Sequence, residues 1–136
     1  MNVSFQKTYQ HSFGMFSLKG QMLSNAIQAA ITVGYRAFDT VQWYGNEADM
    51  GAAMKNCGAA RADLCTAIKV KPESYGEADF ISSVEKSPRD LQVDQVDVLY
   101  LHWPTADGNI APTLRLLQLP PDNKLTRNIG ISNFTA

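Results

Sequence analysis

Four side chains in this sequence could move a proton between them: Asp39, Tyr44, Lys69 and His102. A phenol is a weak acid at neutral pH unless its surroundings favour the phenolate. An ammonium beside it does so, and Lys69 is the candidate. Asp39 could pair with Lys69 and keep it charged and in place. His102 could donate a hydrogen bond to a substrate oxygen and orient it. Together the four suit protonation of a carbonyl oxygen as it becomes an alkoxide. No protein side chain supplies the accompanying hydride, so a nicotinamide cofactor is implied. Competing chemistries lack their residues. His102 has no second histidine nearby for a metal site, and His11 is isolated near the N-terminus. There is no G-x-S-x-G nucleophile elbow, and the carboxylates show no obvious glycosidase pairing.

Each group also has an ordinary structural use. A lysine ending a strand commonly reaches for solvent. An aspartate after a strand often makes a turn, and a lone histidine is often a hydrogen-bonded core residue. What raises the four above those uses is where the elements put them. "SFGMFSL" (12–18) reads as a weak strand. Leu23, Ala26, Ile27, Ala30 and Ile31 repeat at helical spacing, with Gly34 at the C-cap. "YRAFD" (35–39) is a strand ending at Asp39. Asn46 can cap a second helix, with Glu47 in its first turn and Met50, Ala53 and Met54 on one face. "LCTAIKV" (64–70) is a third strand. Phe80, Ile81 and Val84 mark a third helix, "VDVLYLHW" (96–103) a fourth strand, "IAPTLRLLQL" (110–119) a poorer fourth helix and "RNIGIS" (127–132) a fifth strand.

Strand and helix thus alternate, with strands about 30 residues apart, the size of a βαβ unit. That argues for parallel strands covered by helices. Both a closed eightfold barrel and an open doubly wound sheet use this alternation. The open sheet favours a glycine-rich phosphate loop after the first strand, and "FGMFSLKGQ" lacks G-x-G-x-x-G. In a parallel barrel the carboxyl ends of the strands open on one face. Asp39, Tyr44, Lys69 and His102 would meet there.

Bulk composition excludes other classes. The 136 residues are 45% hydrophobic, enough for one modest domain with a core. A net charge of −1 gives no reason to expect nucleic acid or a membrane as the main partner. No apolar run approaches membrane-spanning length, and "MNVSFQKTYQ" is too polar for a secretory signal. Cys57 and Cys65 read as reduced thiols in a cytoplasmic protein. "NFT" (133–135) matches a glycosylation sequon, read here as chance.

Three stretches, in order and in spacing, resemble the signatures of the aldo-keto reductase family. "GYRAFDTVQWYGNEADMG" (34–51) resembles G-Y-R-x-x-D-T-A-x-x-Y-x-N-E-x-x-x-G, "LYLHWP" (99–104) the strand carrying the family's catalytic histidine, and "RNIGISNF" (127–134) its cofactor motif I-G-V-S-N-F. The match runs from Phe13 over essentially the whole chain, and is most like the bacterial 2,5-diketo-D-gluconate reductase group. The resemblance implies a (β/α)₈ barrel, NADPH as cofactor and a small-molecule carbonyl substrate. Its catalytic tetrad falls on Asp39, Tyr44, Lys69 and His102, with Tyr44 the general acid. Ser132 and Asn133 match residues that bind the nicotinamide carboxamide, and Asp39 lies at the cofactor side. Phe16, Trp43, Trp103 and His102 match the substrate pocket.

The sequence departs from that pattern in length and in detail. A barrel of this type needs about 250 residues, so residues 1–136 are expected to form a single partial barrel domain of five parallel strands and four helices, without strands six to eight. Open edges on the first and fifth strands could then drive self-association, and apolar side chains meant for the barrel interior would lose partners. An inactive truncated module that binds a partner is the alternative to an enzyme. Val41, Met15 and Ile68 replace commoner family residues. Pro88 is expected to break the third helix, at about 3 kcal/mol for an interior proline, and Pro120 and Pro121 the fourth. Thr135 could cap a fifth helix.

Overall fold

The computed structural model describes residues 11–134; the suggested cap at Thr135 lies outside them. Five strands run β1 (Ser12–Gly14), β2 (Ala37–Val41), β3 (Cys65–Val70), β4 (Val96–Leu101) and β5 (Thr126–Ile131), with helices α1 (Gly20–Thr32), α2 (Glu47–Asn56), α3 (Glu77–Leu91), α4 (Ile110–Leu116) and a single turn, α5 (Leu119–Asp122). The sheet order is β1-β2-β3-β4-β5 and every pair is parallel. The order never reverses. A doubly wound sheet needs a reversal point, so the winding is that of a barrel.

Pleat and register sort the side chains. Successive residues of a strand point to opposite faces. Phe38, Ile68, Val70, Leu99 and Leu101 face the helices and join Leu23, Ile27, Met50, Met54, Phe80, Val84 and Leu91 in one core. Each such side chain contributes about 1.5–3 kcal/mol when fully buried. The opposite face carries Ser12, Gly14, Ala37, Asp39, Cys65, Ala67 and Lys69, with Val41, Val96, Val98 and Tyr100 its larger apolar members, of which Val41 and Val96 are fully buried. The expected penalty of a wet barrel interior is therefore small. Bare apolar surface collects instead on the helix-side face of β5, where Ile129 and Ile131 are 43% and 48% exposed. They lie beside Leu99 and Leu101 in register.

Several element boundaries differ from the sequence reading. The first strand stops at Gly14, because Ser17 takes a left-handed φ of 61° and Leu18 N–H donates to the Met15 carbonyl at 3.2 Å. The second begins two residues late, since Tyr35 N–H closes the end of α1 on the Ala30 carbonyl at 2.9 Å. Asp39 is consequently the middle of β2, not its end. Pro88 does not break α3, which runs to Leu91. It falls in the closing turn and lies on the same buried stripe as Phe80, Val84 and Leu91, so packing offsets the lost backbone bond. Pro120 and Pro121 do mark a break: α4 ends at Leu116, and the two prolines open α5, where a missing N–H is tolerated.

At the amino ends of the strands, Asp97 holds β3 and β4 together. Its Oδ2 accepts from Arg61 Nη2 at 2.7 Å, Thr66 N–H at 2.8 Å and Thr66 Oγ1 at 3.0 Å. Cys57 and Cys65 are both free. Burial, and then the Asp97 charge, push the Cys65 thiol up to about 11, so it stays protonated.

Gly51 shows how closely the helices approach. A Cβ there would lie 2.6 Å from the Leu91 carbonyl carbon and oxygen, and 2.7 Å from the Asp90 oxygen. Backbone cannot move aside as a flexible side chain can. Gly51→Ala gains up to about 1 kcal/mol of helix propensity but incurs overpacking of about 1–3 kcal/mol. Chemical denaturation is expected to show net destabilisation.

Candidate functional site

The site begins with two neighbouring strands. Asp39 pairs in register with Ala67, and Val41 with Lys69. Asp39 and Lys69 thus project from the same face, one pleat apart. The Lys69 ammonium donates to Asp39 Oδ1 at 2.6 Å, and Ser12 Oγ donates to Oδ2 at 3.0 Å. Both carboxylate oxygens are engaged, while Lys69 retains N–H bonds not used by Asp39. The pair is only partly exposed, so removing one partner strands a charge in a drier setting than the surface.

His102 lies just past β4. Its backbone N–H continues the ladder to the Val70 carbonyl at 3.0 Å. The ring sits between two tryptophans, with centroids 4.9 Å from Trp43 and 5.9 Å from Trp103. Burial, and second the Lys69 charge, push His102 below the ordinary imidazole value of 6.5. The ring is therefore neutral at neutral pH. Among the described residues its buried Nδ1 has no hydrogen-bond partner, which favours the single proton on Nε2.

Tyr44 closes the 3₁₀ turn Gln42–Tyr44 that follows β2. Its ring meets Phe16 edge-on at 5.2 Å. Its neighbour Trp43 touches His102, so Tyr44 and His102 occupy the same end of the sheet. Among the described residues, no hydrogen bond joins the Tyr44 hydroxyl to Lys69 or His102. The structure thus assembles Asp39 with Lys69, His102 with both tryptophans, and Tyr44 with Phe16, around one mouth. It does not show a closed relay from lysine to phenol.

Past β5, Ser132 N–H donates to the Leu101 carbonyl at 2.9 Å. Asn133 has a left-handed φ of 63°, a conformation asparagine tolerates. Its Nδ2 donates to the His102 carbonyl at 2.8 Å and to Ser132 Oγ at 3.0 Å. The loop after β5 is thereby tied to the histidine. Within β5, Gly130 makes room for the ring of its strand partner Tyr100: a Cβ there would stand 2.6 Å from it.

The family's sequence profile, described as the aldo/keto reductase family, matches residues 12–136. The chain belongs to the aldo/keto reductase family. It is 36% identical over 124 residues to methylglyoxal reductase DkgB of Escherichia coli O157:H7, covering 90% of this chain and 46% of that protein. It is 37% identical over 122 residues to a glyoxal reductase of Bacillus subtilis, covering 89% of this chain and 44% of that protein. A crystal structure assigned as a 2,5-diketo-D-gluconic acid reductase B superposes with a TM-score of 0.84 at 40% identity, over 91% of this chain and 44% of the other. The chain therefore spans a little under half the length of these aldo-keto reductases. No described helix is long and apolar enough to cross a membrane.

Sequence reading missed how this aldo-keto reductase holds its mouth in shape. Asn46 stands at the N-cap of α2, yet its side chain makes no capping bond. Its Nδ2 instead donates to the carbonyls of Met15 at 2.9 Å and Leu18 at 3.0 Å, and its Oδ1 accepts from Thr40 Oγ1 at 2.5 Å. This buried amide pins the loop carrying Phe16. The only signal was its place between Tyr44 and Glu47 in the family signature. Ser12 on Asp39 carried no signal at all.

Two outcomes follow. Asn46→Ala leaves a buried hydroxyl and two loop carbonyls without their partner, and is expected to cost about 1–3 kcal/mol, read by denaturant titration. His102 binds its proton less tightly folded than unfolded, so the unfolded chain carries more protons between the lowered folded midpoint and 6.5. Stability is expected to fall as pH drops through that window, with the loss complete below the folded midpoint. An NMR titration should place the His102 midpoint below 6.5, and Lys69→Met should raise it only part of the way, burial being the larger cause.

Proposed function

We propose that this chain carries the proton-donating side of an NADPH-dependent aldo-keto reductase that converts aldehydes or ketones to alcohols. The observation that carries the reading is the Lys69–Asp39 pair at 2.6 Å, at the sheet end that also holds His102 and Tyr44. Tyr44 gives its hydroxyl proton to the carbonyl oxygen as charge develops there. Lys69, held by Asp39, stabilises the phenolate left behind. Neutral His102 donates from Nε2 to the same oxygen and fixes its approach. Phe16, Trp43 and Trp103, exposed at 71%, 47% and 45%, offer apolar rings to the approaching substrate. The named reductases among its relatives support a small carbonyl substrate.

The loop after β5 suits a nicotinamide carboxamide. With Nδ2 of Asn133 spent on His102 and Ser132, its Oδ1 remains to accept and the Ser132 hydroxyl proton remains to donate. A primary carboxamide needs one of each. NADPH, when bound, supplies the hydride. Residues 1–136 are proposed as one partial barrel domain, acting in a cytoplasmic protein.

The bare face of β5, with Ile129 and Ile131, favours a second reading: a truncated module that self-associates or docks a partner there instead of catalysing. Two measurements separate them. The 136-residue chain alone is expected to bind NADPH weakly by fluorescence titration; micromolar affinity would contradict that. The chain completed with the remaining strands of the Bacillus subtilis relative is expected to consume NADPH with an aldehyde. There, Tyr44→Phe should lower turnover by about 10²–10⁴-fold with NADPH affinity nearly intact. Unchanged turnover removes Tyr44 from the mechanism.

A further inference from the structure

Trp43 and Trp103 flank His102, yet both are largely exposed, at 47% and 45%. An exposed indole is free to change rotamer unless something holds it. Trp43 is held through its indole and Trp103 through its backbone, both by one short segment, the 3₁₀ turn Pro72–Ser74 and Tyr75, directly after the strand that carries Lys69. The Trp43 indole Nε1–H donates to Glu73 Oε2 at 3.1 Å. The Tyr75 hydroxyl donates to the backbone carbonyl of Trp103 at 2.9 Å, with the Val70 carbonyl at 3.2 Å as a second acceptor.

The turn is itself well anchored. The Tyr75 ring meets the fully buried Phe80 of α3 edge-on at 6.3 Å. Ser74 and Tyr75 N–H close the turn on the carbonyls of Lys71 and Pro72, at 3.0 and 3.1 Å. Gln42, next to Trp43, accepts from Lys71 N–H at 3.4 Å and donates to the Ser83 carbonyl of α3 at 3.2 Å. Each tryptophan is thus referred to the rigid α3–β3 unit rather than to its own loop.

We propose that Glu73 and Tyr75 are positioning residues that set the spacing of the two tryptophans about His102, and so the width of the slot that receives the carbonyl compound. Neither need touch substrate. Glu73 acts through the Trp43 side chain and Tyr75 through the Trp103 backbone. The proposal rests on the reading of this mouth as a carbonyl site.

The chain has two tryptophans, so NMR of the nitrogen-labelled protein gives two indole N–H signals, assigned by Trp103→Phe. In Glu73→Ala the Trp43 signal is expected to move and exchange faster with water. The His102 ring protons should shift toward ordinary imidazole positions as the Trp43 ring leaves, with the melting temperature unchanged. Glu73→Gln keeps an acceptor oxygen and should restore the Trp43 signal. Tyr75→Phe should move the Trp103 signal and leave Trp43 alone. In the chain completed with the remaining strands and loaded with NADPH, which cannot oxidise it, affinity for 4-methylbenzyl alcohol, a product of the proposed reaction, should fall roughly three- to tenfold in Glu73→Ala and Tyr75→Phe, the size of one such hydrogen bond. A Trp43 signal indifferent to Glu73→Ala, or not restored by Glu73→Gln, overturns the brace. Indole signals that respond as expected, with no binding of the alcohol by the completed, NADPH-loaded chain, uphold the brace and overturn the carbonyl reading of the mouth.

Discussion

The register of β2 against β3 governs the rest of the molecule. On one face it seats Phe38, Ile68 and Val70 in the helix-covered core; on the other it sets Lys69 within 2.6 Å of Asp39. A slip of one residue would exchange these faces. Lys69 would then enter the apolar layer while Ile68 faced the open side. An unpaired ammonium in such a layer costs several kcal/mol, and each displaced Ile, Val or Phe forfeits about 1.5–3 kcal/mol more. Hydrophobic burial thus fixes the register, and the register delivers the ion pair. The chemistry on the inner face is specified by packing on the outer one.

Two aspartates show what position does to one residue type. Asp97 lies on the helix side near the strand starts, where Arg61, Thr66 and Arg127 crowd its carboxylate. It joins elements and offers nothing outward. Asp39 lies on the inner side and is engaged by Lys69 and Ser12. Its partner Lys69 is held by one carboxylate oxygen, which leaves N–H bonds of the ammonium uncommitted. The amino ends of parallel strands hold the structure together, and the carboxyl ends are left for chemistry.

Much of this was legible in the sequence. Strand–helix alternation predicted the parallel sheet, and Leu23, Ile27, Met50, Phe80 and Val84 are core residues as their spacing required. Lys69 and His102 stand near strand ends as read, Asp39 proves to be the middle of β2, and three motifs in register resembled one family. What escaped is what depends on distant atoms. Pro88 looked like a helix breaker because propensity is local, whereas its burial beside Leu91 is not. Asn46 looked like a cap because its place in the chain is right, but the carbonyls of Met15 and Leu18 compete for its amide and win. Nothing near Glu73 or Tyr75 in the chain hints at Trp43 or Trp103, 30 and 28 residues away.

A sheet of five strands can carry this arrangement because its core is built unit by unit. α1 packs on α2 and α2 on α3, and residues of all three join the strands in one core, so burial accumulates as the chain winds. The inner face, which a closed barrel would fill with branched side chains, is here mostly small or polar. It has little apolar area to lose. Among the described residues, the unmet demand gathers at the outer edges of β1 and β5 and in the exposed Ile129 and Ile131. Asp39, Lys69 and His102 sit on β2, β3 and the end of β4, the best-flanked part of the sheet. Ser132 and Asn133, by contrast, follow the open strand, and Asn133 is held largely through His102. The groups proposed to donate the proton therefore stand on well-flanked strands, while those proposed for the nicotinamide stand at the exposed edge.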